Sequence, residues 1–180
     1  MKANVPLPTQ RAVDSGRWAA NLRLILFILA LLFSISLSAC GGLMDNLDAN
    51  DATPLIRTDF SDEAAWKQIK KEVAATYGLG FSAHVQFVDD KQYDGFSGQE
   101  LLRGIPDLAD YSCVFVADAT AMSAEEHHLL VLDPANPDGQ TFRVIPSEAW
   151  GVENNLAIAN MDYSEFAAAV DPDGVFRGFK

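Results

Sequence analysis

The chain has 180 residues, 49% of them hydrophobic and 21% charged, enough for one domain plus a short additional segment and too few for two full domains. Its formal charge of -12 is unevenly spread: Lys2, Arg11, Arg17 and Arg23 against Asp14 give the stretch before Cys40 a charge of +3, which leaves -15 for the rest. Phosphate backbones are repelled by such a surface, since binding them takes clustered Lys and Arg, so nucleic acid is excluded as a partner.

In chain order, the first feature is the uncharged run Leu24–Leu37, LILFILALLFSISL, flanked by Arg17 and Arg23. Its length matches the apolar core of a signal peptide and falls short of the roughly 20 apolar residues of a spanning helix. It ends in Leu37-Ser-Ala-Cys40-Gly-Gly42, which resembles the lipobox of bacterial lipoproteins. That resemblance implies a diacylglyceryl group on the Cys40 thiol, cleavage before Cys40, and residence of residues 40–180 on the exported face of the inner or outer membrane. An uncleaved signal anchor, extended through Gly41 to Met44, is the alternative, and it places the remainder on the same side because the cationic flank stays inside. Residues 1–39 are thus read as signal peptide. The aperiodic GGLMDNLDANDATP that follows, with Cys40, makes residues 40–54 a tether, and residues 55–180 a globular domain.

Within the domain, Leu55–Thr58 predicts a strand and Ser61 a helix N-cap, with Asp62 and Glu63 in the first turn and Gly78 closing the helix. Phe81–Val88 predicts a second strand, Ser97-Gly-Gln-Glu100 a capping box, and the apolar Cys113–Ala117 a third strand. Leu129–Leu132 and Thr141–Ile145 read as a hairpin around the turn-rich Asp133–Gly139. A helix follows Pro146, Asp162-Tyr-Ser-Glu165 caps another, and Asp171-Pro-Asp-Gly174 turns the chain into Val175–Phe179. This order gives an α/β or α+β single domain: a mixed sheet of about five strands with helices packed on it.

The segments Leu55–Asp62 with Trp66, Phe115–Ala119, Phe142–Pro146, Trp150–Asp162 and Val175–Phe179 resemble an uncharacterised bacterial domain family. The resemblance implies a shared fold and carries no activity, so it supplies no catalytic residue.

Chemistry has to be sought in the residues themselves. Asp59, Asp89, Asp90 and Asp118 follow the first three strands. If those strands run parallel, the four acids converge where open sheets hold ligands and could coordinate Mg²⁺ for hydrolysis. The plain alternative is that they cap helices and turns. His127 and His128 are adjacent at a strand entry, point to opposite faces and lack companion ligands, so they do not make a metal site. Cys113 can be a nucleophile or a buried, inert strand residue, and the absence of a neighbouring base favours the latter. With Cys40 lipidated, Cys113 has no disulfide partner. No cofactor motif is present: Gly-rich phosphate loop, nucleophile elbow and zinc helix are all missing.

The densest polar segment, Glu153, Asn154 and Asn155 with Asn160 and Asp162, surrounds Trp150 and suits either a recognition surface or the satisfaction of buried backbone groups. The leading expectation is a membrane-anchored, non-catalytic binding domain with a protein partner. A metal-assisted hydrolase built on the four aspartates is the alternative, as is an immunity-type protein whose acidity steers it to a basic toxin.

Overall fold

A computed structural model describes residues 52–78 and 80–180. The leader, Cys40 and the tether up to Asp51 lie outside the described residues. Among the described residues no helix is long and apolar enough to cross a membrane.

Strand β1 (Thr53–Arg57) is buried along its whole length. It starts two residues earlier than its apolar pair suggests, because Thr53 pairs with Val85 and its N–H donates to the His84 carbonyl at 2.9 Å. Helix α1 (Glu63–Val73) follows, and its N-cap is Asp62, not Ser61: the Asp62 carboxylate accepts from Ala64 N–H and Ala65 N–H. Ser61 instead gives its hydroxyl and N–H to Asp59. The helix stops at Val73, well before Gly78, whose φ of +54° places it in the following turn.

Strand β2 is only Val85–Val88, since Phe81 is drawn into a bridge with Tyr77 outside the sheet. Helix α2 (Gly98–Gly104) opens on the expected capping box, with Ser97 N–H on the Glu100 carboxylate at 2.8 Å and Glu100 N–H on the Ser97 hydroxyl at 3.3 Å. Strand β3 (Val114–Ala117), helix α3 (Ala119–Ser123), strands β4 (Leu129–Leu132) and β5 (Phe142–Val144), helices α4 (Ala149–Ala157) and α5 (Tyr163–Ala168), and the two-residue strand β6 (Val175–Phe176) complete the chain.

The sheet order is β2-β1-β3-β4-β5-β6. β1 is parallel to both β2 and β3, β4 is antiparallel to β3 and β5, and β6 is parallel to β5. It is therefore the mixed sheet expected, with six strands, and β4–β5 is the expected hairpin. Alternation along the central strands feeds two cores. Leu55, Phe115 and Ala117 face Trp66, Ile69, Val152 and Phe166, whereas Ile56, Val114 and Val116 face Leu101, Ile105 and Leu108. Helices on both faces explain why Leu55-Ile56 of β1 and Val114–Ala117 of β3 read as apolar pairs or runs and not as alternating patterns. The parallel start also fixes two distinct sheet edges: one at the C-terminal ends of β1, β2 and β3, the other at their N-terminal ends, where the chain enters at Ala52.

Candidate functional site

The C-terminal edge gathers the four aspartates, and each already has partners. Asp118 caps α3 through Ala121 N–H and forms a two-point pair with Arg143 of β5, Nη1 to Oδ1 at 3.0 Å and Nη2 to Oδ2 at 2.6 Å. Burial alone would raise its pKa, but the Arg143 and Ala121 hydrogen bonds outweigh it and hold the carboxyl below its ordinary value. Asp90 caps the 3-10 turn Lys91–Tyr93 through Gln92 N–H, and Asp59 binds Ser61. Asp89 accepts from the Trp66 indole at 2.9 Å and from Arg57 at 3.3 Å.

Arg57 organises this edge. Its side chain is 3% exposed, donating to Glu63 at 2.8 Å and to the Asp59 carbonyl at 2.9 Å, with its guanidinium 4.4 Å from the Phe60 ring centre and 5.5 Å from that of Trp66. A planar cation suits a site sandwiched between rings and shared by two acids. The backbone closes over the same place, with Thr58 N–H on the Ala117 carbonyl and Gly95 N–H on the Thr58 carbonyl. Among the described residues no group of three or more His, Cys, Asp or Glu side chains is arranged to hold a metal ion. His127 sits at φ +49° with Nδ1 3.0 Å from the Ala121 carbonyl, and the His128 carbonyl accepts from Arg143. Cys113 is fully buried, which pushes its thiol pKa far above the ordinary range and leaves no thiolate for nucleophilic work.

The N-terminal edge is built by α4. Glu153, 3% exposed, reaches from the helix to both strand entries, accepting from His84 N–H at 3.0 Å and from the Thr53 hydroxyl at 3.4 Å. Burial raises its pKa above the ordinary value, against the smaller effect of those hydrogen bonds. The Asn154 amide donates to the carbonyls of Ser82 and Trp150, and that of Asn155 to Gly151 at 2.7 Å, while Asn160 donates to the Asn155 side chain. Glu153 to Asn155 thus satisfy backbone groups, whereas Asn160 and Asp162 are exposed.

Trp150 is half-buried, not in the core, and stacks on Phe81 at 5.4 Å and 10°. Its ring nitrogen is enclosed without an acceptor. Asp162 borders a cleft of about 370 Å³ with Asp133, Asn136, Gln140, Tyr163 and Ser164, and a second cleft of about 280 Å³ opens on the other side of the same β4–β5 loop.

Residues 52–179 match the family described as Domain of unknown function (DUF6924). The chain belongs to this family. A search among curated proteins finds no match. The DUF6924 domain therefore includes β1 from its first residue and ends one residue before Lys180.

Reading the sequence alone misses Arg57, Arg143 and Phe81 as components of the two edges. An arginine following Leu55-Ile56 inside an apolar strand is the one signal that points to Arg57, because a charge there demands partners.

Proposed function

We propose that the chain is a lipoprotein of the bacterial envelope, anchored through lipid on Cys40, whose DUF6924 domain works by binding a protein partner and not by catalysis. What carries this reading is the state of the strand-end carboxylates: Asp118 is held by Arg143, Asp89 by Arg57 and Trp66, and Asp90 and Asp59 by local N–H and hydroxyl donors. Acids engaged in this way stabilise the scaffold, and releasing Asp118 to a metal would leave Arg143 without its carboxylate. Concave polar surface lies instead on either side of the β4–β5 loop, where Asp133, Asn136 and Asp162 offer hydrogen-bonding groups beside Tyr163.

Two measurements test it. Millimolar Mg²⁺, Mn²⁺ or Ca²⁺ should leave the Tm of the purified chain unchanged beyond an ordinary salt effect, because a cation stabilises only through a specific site. A saturable rise in Tm that disappears in Asp118→Asn would replace binding by metal-assisted hydrolysis. For the anchor, Cys40→Ser should abolish uptake of radiolabelled fatty acid and leave the uncleaved precursor in cells, whereas normal labelling of the variant would end the lipoprotein reading.

A further inference from the structure

We infer that the N-terminal edge of the sheet is a membrane-facing surface, with Phe81, Trp150 and Ile158 meeting the headgroup region of the bilayer that carries the lipid. The inference rests on the anchoring reading above. If Cys40 holds the lipid, 12 residues lie between it and Thr53, a strap of at most about 45 Å fully extended. That is comparable to the diameter of a domain of this size, about 35 Å from its expected radius of gyration. Lipid on Cys40 therefore keeps the N-terminal edge, where the chain enters the domain, within reach of the bilayer.

The strap enters at Ala52, and the residues around that point carry apolar surface. Thr53 N–H is bonded to His84, and Asn154 of α4 to the Ser82 carbonyl, which sets the segment carrying Phe81 alongside the helix. Phe81 is 48% exposed and Ile158 is 73% exposed, two of the four large hydrophobic residues exposed among the described residues. Ile158 continues α4, its N–H donating to the Asn154 carbonyl, so it follows Trp150 and Asn154 on one side of the helix at spacings of four. The bridge between Tyr77 and Phe81 holds the exposed ring on the indole. An aromatic pair with an aliphatic residue two turns along the helix is the composition of interfacial anchors, in which rings sit at headgroup level. The Trp150 N–H is enclosed without an acceptor among the described residues, a donor that the domain itself leaves unmet. The acidity of the domain selects the lipid: anionic headgroups are repelled, so the fitting surface is zwitterionic, of phosphatidylethanolamine or phosphatidylcholine.

Tryptophan quenching by lipid reads this directly, because cleavage before Cys40 removes Trp18 and leaves Trp66 in the core and Trp150 at the edge. The mature lipidated chain is incorporated into phosphatidylcholine vesicles whose acyl chains are brominated near the glycerol end, and sedimentation is recorded alongside emission. The chain is expected to sediment with the vesicles and to lose about half its emission, the share of an interfacial tryptophan beside a buried one. Trp150→Phe should sediment equally and lose almost none. Phe81→Ser with Ile158→Ser, both exposed positions, should sediment but show quenching reduced severalfold. Sedimentation without quenching overturns the membrane-facing edge and leaves the anchor intact, returning the patch to a protein partner. Failure to sediment overturns the anchor and this inference with it.

Discussion

Replacing Trp66 by alanine is expected to destabilise the domain by about 3–5 kcal/mol, a large part of the roughly 5–15 kcal/mol that holds an ordinary domain together. Among the described residues Trp66 is the largest fully buried side chain. Its ring meets Phe87 edge-on at 6.0 Å, its indole N–H holds Asp89, and its face lies against Arg57 and, 5.2 Å away, Lys70. Alanine removes the apolar contact and also the wall that keeps the Arg57 guanidinium out of water. Trp66→Phe separates the two contributions. It keeps most of the buried area and deletes only the donor to Asp89, an acid already 41% exposed that water can reach, so a loss of about 1–2 kcal/mol is expected. Urea unfolding midpoints with unchanged m-values measure both. Equal losses in the two variants would mean that the hydrogen bond to Asp89 dominates over packing.

Which of these features the sequence discloses follows from the range of the interaction involved. The strands announce themselves because Leu55-Ile56 and Val114–Ala117 are buried on both faces, whereas the parallel direction of β1, β2 and β3, left open by the sequence, is given by their pairing. Capping at Ser97 and at Asp162, whose N–H donates to Glu165, spans three residues and is equally visible. Where two candidates compete locally the sequence is ambiguous: Ser61 and Asp62 both suit an N-cap, and the choice falls to Asp62 because Ser61 turns back to Asp59.

Long-range partners are another matter. The aspartates are legible at strand ends, but the arginine that holds Asp118 stands 25 residues further on, and nothing in the spacing pairs them. Glu153 reads as one of several polar residues beside a tryptophan, while its function depends on a strand entry 100 residues earlier and a loop 69 residues earlier. Phe81 misleads for the opposite reason. Its residue type favours a strand, yet the Tyr77 bridge holds it out of the sheet and exposes it.

Glu153 also provides the second large effect, with a sign that distinguishes its charge from its hydrogen bonds. Glu153→Ala should lower stability by about 2–3 kcal/mol, because it leaves the His84 N–H and the Thr53 hydroxyl unmet at a closed edge. Glu153→Gln retains an oxygen for His84 and presents its amide to the Thr53 hydroxyl, so it should be tolerated, and at neutral pH it should equal or exceed the wild type. The reason is linkage. Burial raises the native pKa of Glu153 above the ordinary value of 4.5 that it has in the unfolded chain, so the native state takes up the proton at a pH where the unfolded state has already released it. The ionised side chain therefore costs stability above the native pKa. That cost shrinks as pH falls through the native pKa and is gone below 4.5. Other carboxyls act in the reverse sense: Asp118, held low by Arg143, contributes stability that is lost on acidification, and it affects wild type and variant alike. The difference between Glu153→Gln and wild type isolates the one residue. Unfolding free energies measured from pH 7.5 down to pH 4 should show the advantage of the glutamine variant largest at pH 7.5 and vanishing or reversed at pH 4. A difference independent of pH would mean that the Glu153 carboxyl keeps the same pKa on unfolding and that the strand entry is held by neutral hydrogen bonding alone.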